Sequence, residues 1–377
     1  MSLLAEHRGL LDALATRGRL RALKPTQGID FASNDYLGLA RSDLIRDIAA
    51  QALQRGVAPG AGAARLLRGN DPEFEELEAE AARHFGAPSA LFLANGYTAN
   101  LAIFSALPQT RDLVLHDELI HASARDGLRL GAAEARPFRH NDPTAAQDAI
   151  RTWRAGGGKG HVWIAVESLY SMDGDRAPLG SLAEIAREEG AFLIIDEAHA
   201  TGVWGPSGRG LAAPFAPDEN AISLHTCGKA LGTSGALVCL SPILREVLIN
   251  RARSFIYSTA PSPLTAAIIR GTLAHLEADP TRRETLLRRV RLLDRLAALA
   301  GIPATGSQIL PIVLGSDARA LGLSGRLATH GFDLRAIRSP TVPKGGERLR
   351  LSLTLNAAEA DLTALFTALA PLLKEAA

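Results

Sequence analysis

Hydrophobic positions fall into short blocks whose period changes along the chain. In residues 1–23, MSLLAEHRGLLDALATRGRLRAL, leucines recur at helical spacing and predict an amphipathic helix. Residues 24–40, KPTQGIDFASNDYLGLA, are rich in turn formers and predict one short strand. Leu44, Ile45, Ile48, Ala49 and Ala52 share one face of a predicted helix over 41–56. A glycine loop follows at Gly60–Gly62, and Asn70-Asp71-Pro72 opens a charged helix over 72–85. Its proline falls in the first turn, where a missing N–H leaves no bond unmade.

From Ala90 the pattern alternates. ALFLANG, DLVLHD, HVWIAVES, AFLIIDEAH, AISLHT and GALVCL read as strands, and YTANLAIFSAL, HASARDGLRLG and SLAEIAREEG as helices. Strands read as near-continuous apolar runs when helices cover both faces of their sheet. The prediction is therefore an α/β fold around a mostly parallel sheet. Residues 263–300 read as one long helical stretch. The tail gives QILPIVLG (strand), SDARALGLSGRLATHG (helix), FDLRAIRSP (strand), RLRLSLTL (strand) and AAEADLTALFTALAPLLKEA (helix), a smaller α+β unit with its own core. The expected organisation is an N-terminal helical arm (1–40), a large ligand-binding domain (41–275) and a C-terminal α+β domain (276–377).

At 377 residues with 47% hydrophobic and 21% charged positions, the chain can bury a sizeable core and is not a disordered or fibrous type. Lys+Arg numbers 41 and Asp+Glu 40, so charge gives no reason to expect nucleic acid or an anionic membrane as partner. Cys227 and Cys239 cannot staple a fold of this size, and their scarcity suits a reducing compartment. No apolar run is long enough to span a bilayer, and the N-terminus lacks the pattern of a secretory signal, so the expected address is the cytoplasm.

Lysine is rare: Lys24, Lys159, Lys229, Lys344 and Lys374 stand among 36 arginines. A lysine in an apolar, glycine-rich loop then points to chemistry that arginine cannot do, namely losing its proton and acting as an amine. In parallel sheets ligands bind beyond the carboxyl ends of the strands. Those ends offer Gly96-Tyr97, Glu167-Ser168, Asp196, His199, Thr226 and Lys229. Asp196 closes the run FLII, where a carboxylate needs a cation or donors. Lys229 follows 33 residues later, about one strand–connection–strand excursion, which lets both reach one cleft.

That pair is what pyridoxal 5'-phosphate requires. The lysine holds the cofactor covalently and later moves protons at the substrate Cα. The aspartate keeps the pyridine nitrogen protonated, which makes the ring an electron sink. Gly96 and Tyr97 before a helix, with Thr226, supply donors for a phosphate. His121 is placed to stack on the ring. A lone Asp–Lys pair is more often structural. The clustering of Gly-Tyr, His121, His199 and Thr226 at loop starts favours the cofactor site.

The order and spacing of longer segments resemble the α-oxoamine synthases of the fold-type I pyridoxal phosphate family, over nearly the whole chain. The segments are FASNDYLGLA (31–40), GAGAARLLRGN (60–70), NGYTANLAIFSAL (95–107), DELIHASARDGLRL (117–130), ESLYSMDGDRAPL (167–179), DEAHATGVWGPSGRG (196–210), HTCGKALGTSGA (225–236) and RSPTVPKGGERLRLSLT (338–354). The resemblance implies that Lys229 carries the cofactor, Asp196 faces the pyridine nitrogen, His199 bonds the ring oxygen and His121 stacks on the ring. It implies Gly96, Tyr97 and Thr226 at the phosphate, Ser171 in the cofactor site, and Arg338 on the amino-acid carboxylate. Thr341, Asn34 and, on a looser alignment, Arg21 are implied to contact substrate.

Family members are homodimers with the site at the interface, and Ser258 and Thr259 are implied to reach the phosphate of a second subunit. TSGA, FIYST and RSPTVPKGGERLRL are most similar to members that condense L-alanine with pimeloyl-CoA or pimeloyl-acyl carrier protein, releasing carbon dioxide. Sister members, of the 2-amino-3-ketobutyrate ligase, 5-aminolevulinate synthase and serine palmitoyltransferase types, share the cofactor site. The pattern departs at Phe74, where relatives usually carry histidine.

Other classes fit less well. GGGKG (156–160) lacks the spacing and following Ser or Thr of a phosphate loop, and Gly60–Arg65 lacks the third glycine of a dinucleotide fingerprint. His116-Asp117-Glu118 with His121 is not a zinc motif, and His116 to Glu118 read as exposed loop residues. No metal is expected. No basic recognition helix supports a cofactor-binding regulator. Trp153, Trp163 and Trp204 read as packing residues. Arg348 and Arg350 read as one exposed strand face, and Cys227 lacks a base to activate it. Gly202, Gly205, Gly208 and Gly210 read as shaping a tight loop.

Overall fold

Fully apolar strands can be buried on both faces only if helices lie above and below them, and that requirement organises the chain. The computed structural model describes residues 3–23 and 25–376. The first half runs α1 (Ala5–Thr16), β1 (Ile29–Asp30), α2 (Asp43–Gln54), α3 (Pro72–Phe85), β2 (Ser89–Leu93), α4 (Gly96–Ala106), β3 (Leu113–Asp117), α5 (Ala122–Leu130), β4 (Glu134–Phe138), α6 (Pro143–Ala155), β5 (Val162–Glu167), α7 (Leu179–Glu188) and β6 (Phe192–Asp196). It continues with β7 (Ala221–Thr226), β8 (Ala236–Leu240), α8 (Pro242–Arg251), α9 (Arg253–Ile256), α10 (Pro263–Ala278), α11 (Thr281–Leu299), β9 (Ile309–Val313), α12 (Asp317–Thr329), β10 (Phe332–Asp333), β11 (Arg335–Ile337), β12 (Arg348–Ser352) and α13 (Glu359–Ala376).

The main sheet has seven strands in the order β2-β8-β7-β6-β5-β3-β4. Strands β7, β6, β5, β3 and β4 pair in parallel, and β8 runs antiparallel to both of its neighbours. Alternation of side chains divides the core. Trp163 and Ala165 of β5 pack with Ala102, Ile103 and Phe104 of α4 on one face. Ile164 and Val166 pack with Ile150 of α6 and Leu182 of α7 on the other. The mostly parallel sheet predicted from the apolar runs is present, with helices on both faces.

A three-stranded antiparallel sheet, β11-β12-β9, forms toward the C-terminus. Its apolar cluster is continuous with Phe31, Tyr36, Leu37 and Leu39 of the N-terminal stretch and with α3 and α10. The expected separate core for the tail is thus a shared one. β1 pairs in parallel with β10, which fastens the N-terminal segment to the same unit.

Several expectations change in detail. The first helix ends at Thr16, and Gly18 adopts φ +63°, a left-handed turn that stops the helix short of residue 23. The stretch 263–300 is two helices, broken at Asp279-Pro280, because proline cannot continue the first helix. β4 and α6 add a strand and a helix between the second and third predicted strands.

Arg348 and Arg350 are not exposed. β12 is the central strand of its sheet, all five of its residues are buried, and alternation there does not mark a solvent face. Arg348 pairs with Asp173, and Arg350 donates to the carbonyl of Ser171. His116 and Asp117 are buried as well. Asp117 accepts from the backbone of Leu119 and Asn141 and binds His140 Nδ1 at 2.9 Å.

Candidate active site

The parallel strands end on one edge of the main sheet, and four of the predicted residues leave from it. Asp196 is the last residue of β6, and Thr226 the last of β7. His199 and Lys229 follow in the succeeding loops. Across from them α4 begins at Gly96, capped by Asn95, whose side chain accepts from Thr98 N–H while the Thr98 hydroxyl accepts from Asn95 N–H. His121 caps α5 in the same way, its Nδ1 accepting from Ser123 N–H at 3.2 Å.

These elements enclose a cavity of about 320 Å³, within the range of roughly 300–1,000 Å³ usual for ligand sites. Gly96, Tyr97, His121, Asp196, His199, Thr226 and Lys229 all line it. The structure thus brings together the seven residues on which the cofactor reading rests.

Asp196 sits at the cavity floor with both oxygens held. Ala198 N–H donates to Oδ1 at 3.0 Å and Asn100 Nδ2 donates to Oδ2 at 2.9 Å. Asn100 also donates to Ser123 Oγ at 2.9 Å, and that hydroxyl lies 2.7 Å from His121 Nδ1. A continuous network therefore orients the carboxylate and the His121 ring together. On the other side Lys229 Nζ stands 3.0 Å from His199 Nε2, and His199 Nδ1 stands 2.5 Å from the Tyr36 hydroxyl.

Burial is the largest influence on the titrating groups. It pulls the Lys229 amine down to about 8, against the pull of the Asp196 and Glu167 carboxylates. It pushes Glu167 up to about 8, with the neighbouring Asp196 charge adding to the shift. It holds His199 well below the usual imidazole range, helped by the Lys229 and Arg350 charges, and lowers His121 too. The Cys227 thiol is pushed above its ordinary range, so it is inert next to the lysine loop.

The remaining predicted residues lie elsewhere. Ser171 is buried behind the cavity, its N–H donating to Glu167 Oε2 at 3.0 Å. Asn34 is one link removed, accepting from the Tyr36 hydroxyl at 3.1 Å. Arg21, Arg338 and Thr341 line a separate outer groove of about 640 Å³ beside α1, where Arg338 bonds the Gly18 carbonyl. Ser258 and Thr259 line a small cleft with Arg65 and Phe92. Phe74 is fully buried against Phe92 and is not part of the cavity lining.

The sequence marks Glu167 only as a strand-end residue and Arg350 only as part of an exposed face, and assigns Tyr36, Asn100 and Ser123 no role. Asn100 had a signal, a polar residue one helical turn beyond Gly96 within an apolar helix. Tyr36 and Arg350 are far from the lysine in sequence and reach it only through the fold. Among the described residues no group of three or more His, Cys, Asp or Glu is disposed to hold a metal ion.

A doubly covered, mostly parallel sheet with a lysine and an aspartate at its carboxyl edge defines the class as fold-type I pyridoxal phosphate enzymes. Comparison with known proteins agrees. The family model for aminotransferase class I and II matches residues 26–368. The 8-amino-7-oxononanoate synthase of Methylobacterium nodulans is 40% identical over 344 residues, covering 91% of this chain and 86% of that protein. The crystal structure of the Francisella tularensis 8-amino-7-oxononanoate synthase superposes with TM-score 0.77 at 28% identity, over 92% of this chain and 98% of that one. A serine palmitoyltransferase structure with pyridoxal phosphate superposes with TM-score 0.88 at 25% identity, over 100% and 99%. The chain belongs to the aminotransferase class I and II family and groups within it with the 8-amino-7-oxononanoate synthases.

The cofactor of this family is pyridoxal phosphate, and the cavity fits it. One wall offers the first N–H groups of α4, which have no partner inside the helix. A Cβ at Gly96 would fall 2.5 Å from Thr226 Cγ2, so only glycine lets Thr226 and the helix start close on a phosphate. The floor offers the fixed Asp196 carboxylate, and the opposite side a lysine amine whose pKa is lowered to about 8.

Proposed function

We propose that the chain condenses L-alanine with a pimeloyl thioester, carried on coenzyme A or acyl carrier protein. The products are 8-amino-7-oxononanoate, carbon dioxide and the free thiol, a step of biotin synthesis. The observation that carries the reading is the cavity's pairing of Lys229 with Asp196, in a chain about 40% identical to synthases of that name. The serine palmitoyltransferase neighbours match the fold closely but the sequence less well, so they support the architecture more than the substrate.

When bound, pyridoxal phosphate supplies an electron sink for the charge left at the amino-acid Cα. Lys229 is the covalent attachment point and, once released, the base that takes the Cα proton. A pKa lowered to about 8 keeps a useful fraction of its amine neutral near pH 7.5. Asp196, locked by Asn100 and Ala198, would face the pyridine nitrogen and keep its proton in place. His121 would pack on the ring, and His199 would bond the ring oxygen. Gly96, Tyr97 and Thr226 would hold the phosphate.

The amino-acid carboxylate needs a cation inside the cavity's reach. Arg350 is the arginine whose charge acts on both Lys229 and His199, and its guanidinium is buried. We assign it that role. Arg338, Arg21 and Thr341 then serve the acyl thioester from the outer groove, and Asn34 and Ser171 support the pocket from behind.

The active form is a homodimer with the site at its interface. Support comes from α1, where Leu10 and Leu11 are more than half exposed, and from Ser258 and Thr259, which lie outside their own chain's cavity. No helix among the described residues is long and apolar enough to cross a membrane, and the scarcity of cysteine suits a cytoplasmic site of action.

A substrate panel tests the reading. Alanine, glycine and serine are crossed with pimeloyl, acetyl, succinyl and palmitoyl thioesters while thiol release is followed. Alanine with pimeloyl thioester is expected to react fastest. Preference for glycine with an acetyl or succinyl thioester, or for serine with palmitoyl, reassigns the chain to a sister activity.

A further inference from the structure

Two helices begin at the cavity, and each brings a different part of the cofactor site. α4 starts at Gly96, on the wall that fits a phosphate, and α5 follows its cap, His121, the imidazole assigned to the ring. A ligand that touches both must match the spacing between the two helix starts. That spacing is set outside the cavity.

Glycine lets the helices meet. A Cβ at Gly127 of α5 would fall 2.8 Å from the Asn100 carbonyl and 2.9 Å from Phe104 Cβ of α4. One at Gly131 would fall 2.7 Å from the Phe104 carbonyl. Backbone therefore lies against backbone along this seam.

Two side-chain bonds cross the same seam near the cavity. On its buried side Asn100 Nδ2 donates to Ser123 Oγ at 2.9 Å. On its exposed side the Tyr97 hydroxyl donates to Asp126 Oδ2, and Asp126 Oδ1 accepts from Arg129 Nη1 at 2.7 Å. The direction of the Tyr97 bond follows from its partner, since an ionised carboxylate can only accept. That bond holds the Asp126 carboxyl below its usual range and the Tyr97 phenol above its own.

Tyr97 lines the cavity and Asp126 does not. The Tyr97 N–H belongs to the first turn of α4, where such groups have no helical partner and suit a phosphate. Its side chain does something else: it reaches away to the neighbouring helix.

We propose that Asp126 is a positioning residue: by anchoring the Tyr97 side chain it ties the start of α4 to α5, and so fixes the spacing between the phosphate-holding turn and the His121 ring. The tie matters for a ligand that carries both a phosphate and a ring, and not for phosphate alone. The inference rests on the reading of this cavity as the cofactor site, but not on the substrates proposed for it.

Full-length apoenzyme tests the inference, with pyridoxal phosphate and inorganic phosphate as separate probes. Equilibrium titration measures the first and ³¹P NMR the second. Tyr97→Phe and Asp126→Ala are each expected to weaken pyridoxal phosphate by about three- to tenfold, the worth of one hydrogen bond. Both should bind inorganic phosphate as the wild type does. The double variant is expected to be no weaker than either single one, because each change removes the same tie. Asp126→Asn keeps an acceptor for the phenol and should restore cofactor affinity to within about twofold of wild type. Unchanged cofactor affinity in either single variant, losses that add in the double, an equal loss for inorganic phosphate, or no rescue by asparagine overturns the inference. Turnover is measured separately. A wild type that binds the cofactor but does not condense alanine with a pimeloyl thioester removes the proposed function and leaves the positioning role standing.

Discussion

Glu167 and Asp196 stand directly opposite each other at the carboxyl ends of β5 and β6, and they are held in different ways. Both Asp196 oxygens have donors, whereas Glu167 has one oxygen bonded to Ser171 N–H and the other, Oε1, buried with no partner. Burial, with the Asp196 carboxylate beside it, pushes Glu167 up to about 8, so it stays protonated at neutral pH.

Glu167→Gln copies that neutral form and is expected to keep its fold and most of its activity at pH 7. The sign of the stability effect follows from the raised pKa. The folded state holds the proton more tightly than the unfolded chain, so the wild type loses stability as pH rises from about 4.5 toward about 8. The variant escapes that loss. Urea unfolding at pH 5 and pH 8.5 should show its advantage growing by at least about 1.4 kcal/mol, the worth of one pKa unit.

Arg350→Lys should raise KM for alanine by about 10- to 100-fold, since a charge-assisted guanidinium–carboxylate contact is worth about 1.5–3 kcal/mol. Arg338→Lys should leave KM for alanine nearly unchanged and act on the thioester. Steady-state kinetics with each substrate varied in turn separates the two arginines, and the reverse pattern would return the carboxylate to Arg338.

Gly96→Ala places a methyl where Thr226 Cγ2 already lies, at 2.5 Å. Overpacking of this kind costs about 1–3 kcal/mol, and here it falls on the cavity wall proposed to hold the phosphate. Cofactor affinity, measured by equilibrium titration, should drop by about tenfold. Thr226→Ser removes the offending methyl and keeps the hydroxyl, so the double variant should recover most of the loss.

His140 bridges Asp117 and Asp175, with its nitrogens 2.9 and 2.8 Å from their oxygens. Burial alone would lower its pKa, but the two carboxylates outweigh it and raise the ring to about 10. Its contribution to stability is complete below about pH 6.5 and is lost as pH rises through about 10. An NMR titration should find His140 still doubly protonated at pH 8.5. In Asp175→Asn its midpoint should fall by at least one unit.

The sheet was legible because β3, β5 and β6 are covered on both faces and carry the apolar runs LVL, VWIAV and FLII. β4, EARPF, escaped notice because it is an edge strand with mostly exposed residues, so its sequence carries no apolar run. Arg348 and Arg350 were misread for the opposite reason, since an alternating pattern signals a solvent face only where one exists. Lys229, Asp196, His199 and His121 could be picked out because each falls at a strand end or helix cap near the lysine loop. Tyr36 and Arg350 could not, because their approach to His199 depends on the N-terminal segment and β12 closing over the sheet from opposite ends of the chain.

Whether Lys229 is the one lysine that carries pyridoxal phosphate can be read directly by chemical trapping. The holoenzyme is reduced with borohydride, digested and mapped by peptide mass spectrometry. A pyridoxyl-phosphate adduct is expected on Lys229, and none on Lys24, Lys159, Lys344 or Lys374. An adduct on any of those four, or bound cofactor that leaves Lys229 unmodified, would contradict that expectation.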